Sequence, residues 1–272
     1  MSAQSEHSRR ITIATLREMK RNEKRFVCLT AYDTAFARIL DQAGVDLILV
    51  GDSLGMVVQG HETTIPVTMD DMVYHCSLAA RGASRAMLVA DMPFLSYATP
   101  DQALSNAARL MQQGGAQMVK LEGGDAQQDV VKHLSGNGVP VCAHIGLKPQ
   151  SIHKMGAYRV QGRQKHAAES MLYDAEILQK AGADMLLLEC VPMKLAQEIV
   201  RNVDVPVIGI GAGPYCDAQI LVLHDVLGIT PGQVPKFSQN FMQQADSIAD
   251  AIAAYVQAVR EGSFPAPQHC FD

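Results

Sequence analysis

Ionisable side chains recur at one kind of place in this sequence, directly after a short apolar run. Asp33 follows FVCLTAY, Asp52 and Ser53 follow LILVG, Asp91 ends MLVAD, Lys120 and Glu122 end MVKLE, His144 follows VPVCA, and Glu189 ends MLLLE. Three carboxylates brought into one partly enclosed pocket, Asp52, Asp91 and Glu122, repel one another, and a hard divalent cation with oxygen ligands relieves that repulsion. Mg2+ is the natural choice, because it leaves part of its coordination to water and substrate. Such an ion chelates the carboxylate and carbonyl oxygens of a 2-oxo acid together, which acidifies the neighbouring C–H. Removing that proton needs a base on the opposite side of the substrate. Glu189 is the candidate, since a carboxylate held in a less polar wall has a raised pKa. Lys120 is expected to alternate with Glu122 across its strand, with twist leaving both at the rim. Its ammonium suits the substrate's oxygens or the role of internal counter-ion, and the two are compatible. His144 either lines the pocket and donates to a substrate oxygen or is a satisfied histidine at the core edge. The alternative for the three acids is a set of helix caps and surface ion pairs. Zinc has no support: no HExxH occurs, and HETT at 61–64 resembles that motif only superficially.

For these groups to meet, the runs before them must be parallel strands ending at one rim. QAGVDLILVGD (42–52), QGGAQMVKLEG (113–123) and KAGADMLLLEC (180–190) share a pattern in which a helix stops at glycine, a turn follows, and an apolar strand runs into a charge. Glycine takes the left-handed C-cap conformation cheaply, so it ends the helix where the strand must begin. Strands are expected at 26–30, 46–50, 86–90, 117–121, 139–143, 184–188, 206–210 and 220–224. Helical patterns fall at 34–43, 70–81, 101–113, 126–134, 166–181, 193–201 and 238–260. The strands are continuous Val/Ile/Leu/Met runs, as in a parallel sheet covered on both faces. Eight such units predict one (β/α)8 TIM barrel domain over residues 1–272, with a short N-terminal helix capped by Thr12 or Thr15. The catalytic end is then the C-terminal rim. Residues 51–69 read as an active-site loop, 1–10 as flexible, and 263–272 as a tail. IGIGAGP (208–214) offers backbone N–H groups to an anion but lacks the GxGxxG register of a dinucleotide fingerprint.

Composition narrows the partners. Asp and Glu number 28 against 23 Lys and Arg, a net charge of -5, which speaks against nucleic acid as a partner. No run reaches transmembrane length and no apolar segment follows MSAQSEHSRR, so neither a membrane nor an export signal is expected. The six scattered cysteines never form CxxC and read as reduced thiols of a cytoplasmic protein.

The segments TAYD (30–33), VGDSLGMVVQGHETTIPVTMDDMVYH (50–75), ADMPF (90–94), VKLEGG (119–124), HIGLKPQS (144–151), VQGR (160–163), LECVP (188–192) and IGIGAGPYCDAQILVLHDVLG (208–228) together resemble the ketopantoate (3-methyl-2-oxobutanoate) hydroxymethyltransferase family. The likeness runs from about residue 11 to residue 260. It implies a (β/α)8 fold and a Mg2+-dependent transfer of a one-carbon unit from 5,10-methylenetetrahydrofolate to 3-methyl-2-oxobutanoate, giving 2-dehydropantoate in pantothenate biosynthesis. By the resemblance, Asp52 and Asp91 hold the metal with Glu122 completing the site directly or through water. Asp52, Ser53, Asp91 and Lys120 contact the 2-oxo acid, Glu189 is the proton acceptor, and the assembly is a homodecamer. Ala157 and Ala218 stand where the family usually has a glycine, which bears on local loop geometry. The rival is an enolate-handling barrel of the phosphoenolpyruvate mutase and isocitrate lyase kind; the KKCGH-type loop of its lyase branch is absent from the sequence.

Overall fold

The computed structural model describes residues 10–230 and 232–272. Eight parallel strands, β1 (Phe26–Thr30), β2 (Leu47–Val50), β3 (Met87–Asp91), β4 (Met118–Glu122), β5 (Val141–Gly146), β6 (Met185–Glu189), β7 (Val207–Ile210) and β8 (Ala218–Leu221), close into a barrel in sequence order. The seam is a parallel pairing of β8 with β1, with Phe26 opposite Ala218 and Leu29 opposite Leu221. The helices are α1 (Ile13–Arg21), α2 (Thr34–Ala43), α3 (Leu54–Val57), α4 (Met69–Gly82), α5 (Pro100–Gln112), α6 (Gln128–Gly136), α7 (Ile152–Met155), α8 (Lys165–Ala181), α9 (Met193–Asn202), α10 (Leu223–Leu227) and α11 (Ile248–Glu261). The barrel matches the expected fold.

Side chains alternate between two apolar layers, and this explains why the strands are apolar throughout. Phe26, Cys28, Leu47, Leu49, Met87, Val89, Met118, Cys142, Met185, Leu187 and Ile208 fill the barrel with Leu16 of α1. Val27, Leu29, Ile48, Leu88, Val119, Leu121, Leu186 and Leu188 pack outward against the helices. Thr12 caps α1, accepting from the Thr15 N–H. Gly44 and Gly182 take left-handed C-cap conformations at φ +89° and +106°, as the repeated pattern requires. Asp33 accepts from the Phe36 N–H as the N-cap of α2, so this strand-end acid serves as a helix cap.

Several boundaries differ from the sequence expectations. β8 begins two residues before the expected 220, and α11 begins at Ile248, not near 238, with only a 3-10 turn (Phe241–Gln244) before it. The loop 51–69 contains α3. The tail is packed on this chain's own barrel: Phe264, His269 and Cys270 are buried, the Met193 N–H donates to the Phe271 carbonyl, and Lys236 donates to the Cys270 carbonyl. Of the segment expected to be flexible, residues 1–9 lie outside the described residues, whereas Arg10 is anchored to the carbonyls of Ala83 and Ser84. Ala218 is an ordinary strand residue and Ala157 has no positive φ, so neither replaces a glycine that the backbone needs. All six cysteines are unpaired and buried. Among the described residues, no helix is long and apolar enough to cross a membrane.

Candidate active site

The interior-facing parity of four strands turns polar at its last positions. Met87 and Val89 lead to Asp91, Met118 to Lys120 and Glu122, Cys142 to His144, and Met185 and Leu187 to Glu189. Lys120 and Glu122 are two residues apart and therefore project to the same face, which corrects the expectation that they alternate across the strand. Asp52 and Ser53 arrive from the turn that follows β2. Asp52, Asp91, Lys120 and Glu122 are each 5% exposed or less and His144 is 1% exposed, so the cluster is largely removed from bulk water.

Within it, Lys120 donates from Nζ to Asp91 Oδ1 in a buried ion pair. The Asp52 N–H donates to Asp91 Oδ2 (3.0 Å), which locks the β2 turn to the end of β3. His144 lies between two acids, with Nδ1 3.7 Å from Glu122 Oε1 and Nε2 3.4 Å from Glu189 Oε2. Neither ring nitrogen has a hydrogen-bond partner. Ser53 shares a hydrogen bond of 2.9 Å with the Tyr32 hydroxyl. Of the eight strand-end residues singled out in the sequence, the structure brings together seven, Asp52, Ser53, Asp91, Lys120, Glu122, His144 and Glu189, and uses Asp33 as a helix cap.

Three further residues had no strand-end charge to reveal them. Gln150, in a 3-10 turn after β5, donates from Nε2 to Asp52 Oδ2 (2.8 Å) and from its backbone N–H to Glu122 Oε2 (3.1 Å). The Tyr97 hydroxyl donates to Gln150 Oε1 and accepts from the Glu122 N–H. Tyr32 holds Ser53. The only available signal was that Tyr32 and Gln150 lie inside TAYD and HIGLKPQS, and none marked Tyr97. A cavity of about 310 Å³ lined by Phe94, Tyr97, Glu122, Lys148, Gln150 and Asp174 opens beside the cluster.

The electrostatics follow from four acids sharing one buried cation. Burial first, and the Asp91 charge second, raise the pKa of Asp52 to about 7. Burial drives Glu122 well above the usual carboxylate range, with Asp52 adding to the effect. Glu189 is raised to about 8, mainly by burial, with Lys120 opposing and Asp52 and Asp91 reinforcing. Burial would lower Lys120, but Asp91, Glu122 and Asp52 outweigh it and hold the ammonium charged. His144 is pushed well below its ordinary value by burial and by Lys120, so its ring is neutral.

This surplus of negative charge, met by hard oxygen donors, fits a divalent cation. Among the described residues, no group of three or more His, Cys, Asp or Glu side chains is arranged to hold an ion by itself. Mg2+ does not require one, since it binds through one or two carboxylates and keeps several waters. Asp52, Asp91 and Glu122 are the buried carboxylates that could hold it.

Comparison with known proteins now decides the family. The family model described as ketopantoate hydroxymethyltransferase matches residues 10–267. The chain belongs to this family. The 3-methyl-2-oxobutanoate hydroxymethyltransferase of Alkalilimnicola ehrlichii is 59% identical over 263 residues, covering 97% of this chain and 95% of the relative. That of Nitrosococcus oceani is 57% identical over 256 residues, covering 94% and 97%. Among solved structures, a phosphonopyruvate hydrolase superposes with TM-score 0.61 at 14% identity over 79% of this chain and 83% of its own. A 2,3-dimethylmalate lyase, described as a PEP mutase/isocitrate lyase superfamily member, does so with TM-score 0.57 at 18% identity over 77% and 80%. At such identities the likeness is one of fold, so the rival reading gains nothing about chemistry from it, while the family match covers almost the whole ketopantoate hydroxymethyltransferase chain.

Proposed function

We propose that this chain transfers a hydroxymethyl group from 5,10-methylenetetrahydrofolate to 3-methyl-2-oxobutanoate, forming 2-dehydropantoate and tetrahydrofolate in pantothenate biosynthesis. The carrying observation is the buried cluster in which Asp52, Asp91 and Glu122 share one ammonium while Glu189 stands beside His144 with raised proton affinity. Asp52 and Asp91 would hold Mg2+, with Glu122 reaching it through water. When bound, the ion supplies a Lewis acid that withdraws electrons from the carboxylate and 2-oxo oxygens and so acidifies the C3–H.

The chain's own residues do the rest. Asp52 and Asp91, with the Lys120 ammonium and the Ser53 hydroxyl fixed by Tyr32, orient the 2-oxo acid. Glu189 takes the C3 proton. Its pKa of about 8, raised mainly by burial, makes it a stronger base than an ordinary carboxylate once it is ionised. Neutral His144 lines the pocket between Glu122 and Glu189. The new C–C bond forms between C3 and the folate methylene carbon as a C–N bond of the folate opens. Water then displaces the second folate nitrogen from that carbon: its oxygen becomes the hydroxyl, its proton and the one taken by Glu189 end on the two folate nitrogens, and tetrahydrofolate leaves. The resemblance further supports a homodecamer, which sedimentation velocity tests. The buried, unpaired thiols support a reducing, cytoplasmic setting.

The deciding experiment is NMR of C3–H exchange on 3-methyl-2-oxobutanoate in heavy water, with Mg2+, with EDTA, and with Glu189→Gln. Exchange that needs the ion and vanishes in the variant supports the reading. No exchange by folded, Mg2+-loaded wild type, with or without tetrahydrofolate, removes it.

A further inference from the structure

Gln150 makes four hydrogen bonds from a site 4% exposed to solvent, and the arrangement admits one orientation of its amide. Because the Tyr97 hydroxyl donates to Oε1 (2.5 Å), Nε2 must be the atom that reaches both Asp52 Oδ2 (2.8 Å) and the Met92 carbonyl (2.9 Å). A flipped amide would set Oε1 against two acceptors and Nε2 against a donor. The backbone N–H of the same residue holds Glu122 Oε2 (3.1 Å), and Tyr97 in turn accepts from the Glu122 N–H (3.3 Å). One neutral residue thus grips one oxygen of each of two acids, one from the turn after β2 and one at the end of β4, and it does so by donation alone, adding no charge.

We propose that Gln150, oriented by Tyr97, is the positioning residue of the acidic site, fixing the rotation and spacing of Asp52 and Glu122 for a divalent ion. This rests on the reading of these acids as an ion site. Hydrogen bonds to metal-ligating carboxylates govern affinity, and their loss typically weakens metal binding by about 10- to 100-fold. The Met92 carbonyl ties the same amide to the segment after β3, so the grip also registers the β3 and β5 loops against each other.

The test is Mn2+ binding to the full-length protein, followed by electron paramagnetic resonance, for wild type, Gln150→Met and Tyr97→Phe. Gln150→Met keeps the side-chain length and removes the side-chain donor to Asp52, while the backbone N–H to Glu122 stays in place. Its Mn2+ dissociation constant should rise about tenfold or more, with a changed line shape for the bound ion, and the Mn2+ concentration giving half-maximal C3–H exchange should rise by the same factor. Tyr97→Phe leaves Gln150 Oε1 without its donor and the Glu122 N–H without its acceptor, which loosens the amide without inverting it, and should weaken binding by a smaller factor, about threefold. A folded Gln150→Met protein that binds Mn2+ within twofold of wild type overturns the proposal. If that variant does not fold, wild-type affinity in Tyr97→Phe overturns it instead. Absence of Mn2+ binding by the wild type would remove the ion site itself, and the positioning role with it.

Discussion

Replacing Lys120 with Met isolates the electrostatic reasoning, because it removes the one buried cation while keeping an unbranched apolar stem. Lys120 and Asp91 have side-chain exposures of 6% and 4%, and breaking a pair so buried by deleting one partner costs about 3–5 kcal/mol. Asp91 is not left alone: the Asp52 N–H is bound to it, and the Asp52 and Glu122 carboxylates remain nearby without their counter-charge. Part of the cost is relieved by protonation. Asp52 already titrates at about 7 with Lys120 present, and losing that ammonium raises it further. The penalty should therefore be larger at pH 8 than at pH 6. For a chain of this length about 2 °C of melting temperature corresponds to each kcal/mol, so the metal-free variant should melt roughly 6–10 °C below wild type at pH 8. Mg2+ supplies the missing positive charge, and saturation near 100 times its dissociation constant returns about 2.7 kcal/mol. Thermal and urea unfolding of both proteins, in EDTA and in Mg2+, at pH 6 and pH 8, measure all of this. A metal-free variant within about 1 kcal/mol of wild type at pH 8 would refute the claim that Lys120 neutralises the acidic cluster.

Three other outcomes are expected. Mg2+ binding should release protons at pH 7 and fewer at pH 9, because Asp52, raised to about 7, and Glu189, raised to about 8, are partly protonated at neutrality and Glu122 is held well above the usual carboxylate range; calorimetry in buffers of different ionisation heat measures it, and zero release at pH 7 would contradict these shifts. Asp52 and Glu189 bind protons more tightly in the folded than in the unfolded chain, so their stabilising contribution is complete below about pH 4 and is lost as pH rises through 7 and 8. The rise in melting temperature on adding Mg2+ should accordingly be larger at pH 8 than at pH 6. Tyr255→Phe deletes a hydroxyl that donates to the carbonyls of Cys28 and Gln219 across the β1–β8 seam, leaving two buried acceptors short of a donor; equilibrium unfolding should show a loss of about 1–3 kcal/mol with little change in C3–H exchange.

How much of this was legible in the sequence depended on whether a feature repeats. The glycine, turn, apolar strand and charge recur at 42–52, 113–123 and 180–190, and counting eight strand–helix units points to a barrel even where single boundaries slip. β8 slipped because Gln219 interrupts its apolar run, so the hydrophobic stretch ILVL drew the expected strand two residues late. Residues 238–247 were read into α11 because Phe241 and Met242 extend its apolar pattern. Yet Ser247, whose side chain accepts from the Asp250 N–H, marks the true start, and the spacing of Ser and Asp was there to be read.

The site divides along a different line, between residues that carry charge and residues that orient it. Asp91, Lys120, Glu122, His144 and Glu189 lie at or near the ends of apolar strands, and that position collects them even where the parity of Lys120 and Glu122 is misjudged. Gln150 and Tyr97 are neutral, come from loops, and mean nothing individually, since an isolated glutamine or tyrosine is most often a solvated or packing residue. Their role exists only in their joint connections to Asp52, Glu122 and each other, which involve residues 25 to 98 positions apart. Strand-end charges can be found from local pattern because the barrel does the converging. The groups that set the angles of those charges are specified by the closed structure alone, and a search for active-site residues by charge and spacing will miss them for that physical reason.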